Sequence, residues 1–237
     1  MKKPVLSISK EESAYNFGPL SLKIASAGNE RLLASILWIQ TLLESDEEHY
    51  KKDDGNSWMF YRFNSISYLT PNFYENYLFG GKYLSIIKDD IYGAETIYEK
   101  GLRIYPEDYE LIKDAAFNYY FEIKDYDKAI TLYKKILNHP RIEKEFSLLP
   151  SIIAKAIHKR GSPEEAYAVL LTQYKTTKIE AIKKRLALRL YSIKAIIDLE
   201  CLNSEKKDCS NYDFFNYPYI KNKNGSFSSK YQFKYYK

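Results

Sequence analysis

The chain has 237 residues, 45% hydrophobic and 16% aromatic, enough for one ordinary domain or one short repeat stack and too apolar for disorder throughout. Its net charge of +5 comes from 36 basic and 31 acidic residues interspersed along the chain, which argues against a dedicated nucleic-acid binder with clustered Lys and Arg. No apolar run reaches the roughly 18–20 residues of a membrane-spanning helix, and the basic opening Met1-Lys2-Lys3 is not followed by the apolar core of a signal peptide.

Taken in order, residues 1–28 read as a lead-in with Pro4, Gly18, Pro19 and Gly28 and little periodicity. Asn29 then caps a predicted helix whose wide apolar stripe is Leu32, Leu33, Ile36, Leu37, Ile39 and Leu43. The polar run Lys51–Asn56 breaks it. A second helix is predicted from Ser57 to about Leu69, ended by Thr70-Pro71 because the residue before a proline avoids the helical region. Together, residues 29–70 form a divergent N-terminal hairpin.

From here a period emerges. Pro71, Pro106 and Pro140 each close a helix, at intervals of 35 and 34 residues. A small residue recurs in the first turn of each following second helix, Ala94, Ala129 and Ala166, with a large one four positions on, Tyr98, Tyr133 and Leu170. The first helices carry Phe79-Gly80 before Tyr83, Ala116-Phe117 before Tyr120, and Ile153-Ala154 before Ile157. The clearest unit is Asp108–Pro140, two amphipathic helices joined by a tight Lys124-Asp125-Tyr126 turn. About two extra residues at Lys88–Ile91 disturb the register of the first repeat. Three hairpins thus occupy 71–175, and a long helix over 176–200, striped by Ile182, Leu186, Leu190 and Ile193, covers the last one. The tail, 201–237, changes to Asn, Ser, Tyr and Lys, and its Asn224-Gly225 pair predicts a small β-hairpin.

The residues give little footing for catalysis. His49, His139 and His158 lie apart, without ligands at metal spacing. The acidic pairs Asp89-Asp90, Glu107-Asp108 and Glu164-Glu165 stand at turns or helix starts, where they serve as caps. There is no Gly-rich phosphate loop and no nucleophile motif, so neither a cofactor nor a small-molecule substrate is expected. Lys183, Lys184, Arg185 and Arg189 read as a solvated helix face. The 24 Tyr and 12 Phe read first as core and hairpin packing. Cys201 and Cys209, eight apart in a polar, loop-like segment, are compatible with a disulfide and equally with two free thiols.

Residues 71–175 resemble tetratricopeptide repeats. The resemblance implies an all-α, right-handed α-solenoid of helical hairpins with a small C-terminal β-hairpin or irregular tail. It also implies that the outward faces of the first helices line a concave groove: Tyr74 and Tyr77, then Asp114, Asn118 and Phe121, then Lys155, His158 and Lys159. A groove aromatic at one end and basic at the other suits an acidic peptide. The clamp by which one branch of the family grips a terminal carboxylate wants a Lys where this chain has Asp114, which disfavours that reading.

The wider chain is similar to bacterial envelope-associated repeat proteins in the stretches Glu30–Ser45 and Asp213–Ser229. That similarity implies a membrane anchor ahead of Phe17-Gly18-Pro19, a periplasmic location and a bridged Cys201–Cys209. The residues by themselves leave a cytoplasmic location open. The function expected is a protein-interaction scaffold or assembly factor in an envelope complex. Its rivals are an anionic-surface or nucleic-acid binder acting through the basic helix and tail, and, last, an enzyme.

Overall fold

A computed structural model describes residues 17–44, 56–204, 206 and 208–231. Over these the chain is predominantly helical, with a single two-stranded sheet near the C-terminus. It divides into two compact units, Met1–Asp125 and Tyr126–Lys237. The division falls inside the 108–140 hairpin and not at the segment boundaries read from the sequence.

The first unit comprises α1 (Pro19–Ala25), α2 (Glu30–Leu43), α3 (Trp58–Leu69), α4 (Tyr74–Lys82), α5 (Ile91–Ile104) and α6 (Tyr109–Phe117). Capping residues set the starts: Ser57 Oγ accepts from Phe60 N–H, Asp90 from Gly93 N–H, and Asp108 from Leu111 N–H. Thr70 and Tyr105, one residue before Pro71 and Pro106, end α3 and α5. Each helix packs against the next from α2 to α6, and α3 also meets α5 as α4 meets α6. Successive antiparallel hairpins therefore lie side by side.

Both first helices of this unit end in a wider turn. α4 runs into a π-helical segment Tyr83–Ile87 and α6 into Asn118–Ile123. In the first, the Lys88 N–H donates to the Tyr83 carbonyl five residues back. The chain then reverses at a residue in the left-handed region, Asp89 (φ 51°) and Lys124 (φ 65°). In the second unit Gly161 (φ 95°) takes the same role.

The small residues explain the close spacing. Ala94, Ala129 and Ala166 have no exposed surface, and Tyr98, Tyr133 and Leu170 are buried beside them. Gly81 of α4 lies under the Tyr98 ring of α5, where a Cβ would sit 2.4 Å from Cε1.

Hydrogen bonds report the period directly. Tyr74 Oη donates to Asp108 Oδ1 over 34 residues of sequence. Separations of 33 recur in Ser57 N–H to Asp90 Oδ2, Ser85 Oγ to Asn118 Oδ1 and Tyr105 Oη to the Asn72 carbonyl. In the second unit Arg160 to Asp127 and Lys159 to Tyr126 repeat it. Equivalent positions of neighbouring hairpins face each other when one unit of structure takes about 34 residues.

The second unit holds α7 (Tyr126–Ile136), a short α8 (Ile142–Glu145) that the sequence pattern did not announce, α9 (Leu149–Lys159), α10 (Pro163–Thr176) and α11 (Glu180–Asn203). α9 packs on α7 and α10, and α10 on α11. Leu186, Leu190 and Ile193 form the buried stripe of α11 as expected.

The tail returns along α11. β1 (Ile220–Lys221) pairs antiparallel with β2 (Phe227–Ser228). The turn is a three-residue loop: Asn222 N–H donates to Ser226 O, Gly225 N–H to Asn222 O, and Gly225 alone of the Asn-Gly pair takes positive φ. Asn203, at the end of α11, bonds both backbone groups of Phe227. Tyr219 Oη donates to buried Asp198, and Tyr191 stacks on Phe215. Cys201 and Cys209 are disulfide-bonded with Cα atoms 5.7 Å apart. Cys201 stands in the last turn of α11, not in a loop as the sequence suggested.

Candidate functional site

α4 and α6 run beside each other, joined by Lys82 Nζ to Asp114 Oδ2 at 2.9 Å and Ser85 Oγ to Asn118 Oδ1 at 2.7 Å. Large apolar groups that the core does not use stand on both sides of Lys82 and on the C-terminal side of Asp114. Phe79 is 44% exposed, Ile86 66%, Phe117 38% and Phe121 45%. Along α4 and the π-helical turn that ends it, the exposed set is Glu75, Phe79, Lys82, Tyr83, Ile86 and Ile87, wholly or half uncovered, while Tyr77, Gly81 and Leu84 face the interior. On α6 Phe117 and Phe121 pack together with ring centroids 4.4 Å apart, and Tyr120 edges onto Phe121 at 4.5 Å. Lys82 also lies over the Phe79 ring at 5.6 Å. The result is an apolar, largely aromatic face bordered by one ion pair.

The electrostatics of that pair is mixed. Burial raises the Asp114 carboxyl above the ordinary carboxylate value, against the opposing pull of the Lys82 ammonium.

The structure redistributes the residues read as a groove. Phe121 is exposed where expected, and Asp114 borders the same face. Tyr77 is 2% exposed and donates to the Pro71 carbonyl, and Asn118 is 1% exposed, held by Ser85 and the Ile91 carbonyl. Both belong to the packing between helices, and their placement on a groove is corrected. Tyr74 is half-buried, tied to Asp108 and edge-on to Tyr105. Phe79 and Phe117, read from the repeat pattern as packing positions, are exposed instead, and exposed Ile86 carried no signal in that pattern.

Lys155, His158 and Lys159 lie on α9 of the second unit. Lys155 and His158 are half-buried, and exposed Lys159 sits over the Tyr126 ring at 5.3 Å. The same unit has an open cleft of about 400 Å³ beside α8 and the α10–α11 junction, lined by Asn138, His139, Glu143, Gln173 and Lys178 among others. Its groups are mostly hydrogen-bonding and of mixed charge, suited to holding a polar ligand. On α11, Lys184 and Arg185 are exposed, but Lys183 lies over Tyr174 at 5.5 Å and Arg189 is half-buried. Among the described residues no group of three His, Cys, Asp or Glu is placed to hold a metal ion, and no helix is long and apolar enough to cross a membrane.

Compared with family models, curated proteins and solved structures, the chain matches none of them.

Proposed function

We propose that this chain is a tetratricopeptide-type interaction scaffold that holds a segment of another protein on the outer face of α4 and α6. The observation that carries the reading is the set of large apolar residues, Phe79, Ile86, Ile87, Phe117 and Phe121, left exposed on α4, α6 and the π-helical turns that end them, beside the Lys82–Asp114 pair. A helical stack buries its small and apolar positions between hairpins, so large apolar groups left exposed beside one another are the surplus available for binding. The repeat period in sequence and hydrogen bonding supports the solenoid assignment.

The partner segment that fits is amphipathic: aliphatic or aromatic side chains to cover Phe79, Phe117 and Phe121, and a donor to meet Asp114. An envelope complex is the proposed setting, resting only on the resemblance read in the sequence stretches Glu30–Ser45 and Asp213–Ser229.

The test is photo-crosslinking in the native cells from a reactive residue at Phe79 or Phe121, with the same residue at exposed Leu188 as control. The expected result is one partner captured at both sites and absent from the control. Identical capture at all three, or none, contradicts the reading.

A further inference from the structure

α2 is apolar on two sides, and among the described residues the fold uses only one. Its inner side carries Ala34 and Thr41, fully buried, with Trp38 between them tilted against Phe63 and Phe73 at ring-centroid distances of 5.6 and 5.5 Å. Its outer side carries Leu32, Ile36, Ile39 and Leu43 at exposures of 63, 44, 57 and 78%. These four follow one another at intervals of four, three and four residues, the spacing of a coiled-coil seam and not that of a helix lying on a broad core.

We propose that this seam is a homodimer interface, in which α2 pairs antiparallel with α2 of a second copy. The pattern is symmetric about its own centre. Turned end over end, Leu32 meets Leu43 of the second copy and Ile36 meets Ile39, so every knob finds a knob of like size. The charges obey the same symmetry: Arg31 comes opposite Glu44, whose side chain is 39% exposed even while it pairs with Arg62 at 2.6 Å. Ser35 likewise comes opposite Gln40.

A membrane surface is the weaker occupant. An interfacial helix needs a cationic rim, and α2 has only Arg31, beside Glu30. At on the order of 100 Å² for each exposed side chain, the seam removes roughly 400 Å² per copy from water, about half a standard interface. Exposed Leu20 and Ile24 of α1 add apolar surface at the same end of the chain. An interface of this size fits a reversible dimer.

The experiment is sedimentation of the full chain from about 1 to about 200 µM. The expected result is a mass rising from one toward two chains, with Ile36→Glu/Ile39→Glu weakening association at least about tenfold at unchanged helicity and melting temperature. Orientation is read from engineered thiols, since Cys201 and Cys209 are already bridged to each other. Leu32→Cys/Leu43→Cys crosslinks between copies, and Leu32→Cys alone does not. A chain that stays monomeric throughout, or binds zwitterionic vesicles in place of itself, overturns the proposal. So does a dimer indifferent to the Glu substitutions.

Discussion

Asp90, the cap of α5, also receives the backbone N–H of Ser57, the cap of α3, at 2.6 Å. One carboxylate thus satisfies the starts of two equivalent helices 33 residues apart, with its other oxygen on Gly93 N–H at 2.9 Å. It is 2% exposed, so losing it leaves two buried donors without an acceptor. Asp90→Ala is expected to cost about 3 kcal/mol by chemical denaturation. Gly93→Ala, whose Cβ would sit 2.6 Å from Asp90 Oδ1, breaks the same contact. The double variant should therefore lose much less than the sum of the two. Full additivity would show that the carboxylate does not couple the helices.

The contact of Gly81 with Tyr98 sets the spacing between α4 and α5. Gly81→Ala is expected to destabilise the chain by roughly 2 kcal/mol through overpacking. Tyr98→Leu in the same chain removes the ring that the new methyl strikes and recovers part of the loss. Thermal melts of the single and double variants check this.

Repeat positions were readable in advance because burial follows side-chain size. Ala94, Ala129 and Ala166 announce themselves as the small members of an otherwise bulky pattern, and the structure buries all three. The exposed face was less readable, since it depends on helix rotation to within a fraction of a turn. Placing Tyr77 and Asn118 outward, when both are buried, is an error of that size. The π-helical turns at Tyr83–Ile87 and Asn118–Ile123 were invisible because they change the winding without changing the residue types. Of the three left-handed reversals, only Gly161 is written as glycine; Asp89 and Lys124 do the same work with ordinary side chains.

Alkaline pH should find a weak point in the tyrosines. Burial, and then the hydrogen bond to Asp198, push the Tyr219 phenol far above its ordinary value of 10.0. Burial does the same for Tyr98. A phenol whose folded pKa is raised contributes stability that is complete below the unfolded value and lost as pH climbs above it. Stability should thus hold up to about pH 10 and then fall, with phenolate absorbance rising together with loss of helix. Ionisation of the full complement of tyrosines near pH 10 with helicity intact would contradict this placement.

The Cys201–Cys209 bridge closes a short loop at the end of α11. A loop of this length restricts the unfolded chain by roughly 2.5 kcal/mol. Its reduction should loosen β1, β2 and the Tyr219–Asp198 bond while the hairpins of the first unit keep their protection. Hydrogen exchange with and without reductant reads both outcomes. Equal loosening of α3 to α6 would show that the tail acts well beyond its own unit.

The central claim is that α4 and α6 present a binding face, and its most direct measurement is affinity. With the segment captured at Phe121 in hand as a peptide, titration against the wild-type chain and against Phe117→Ala/Phe121→Ala should show a loss of at least about tenfold, near 1.4 kcal/mol, at unchanged melting temperature. Leu188→Ala should leave affinity as it was. Equal affinity for all three chains would contradict the account and move the functional contact away from this face.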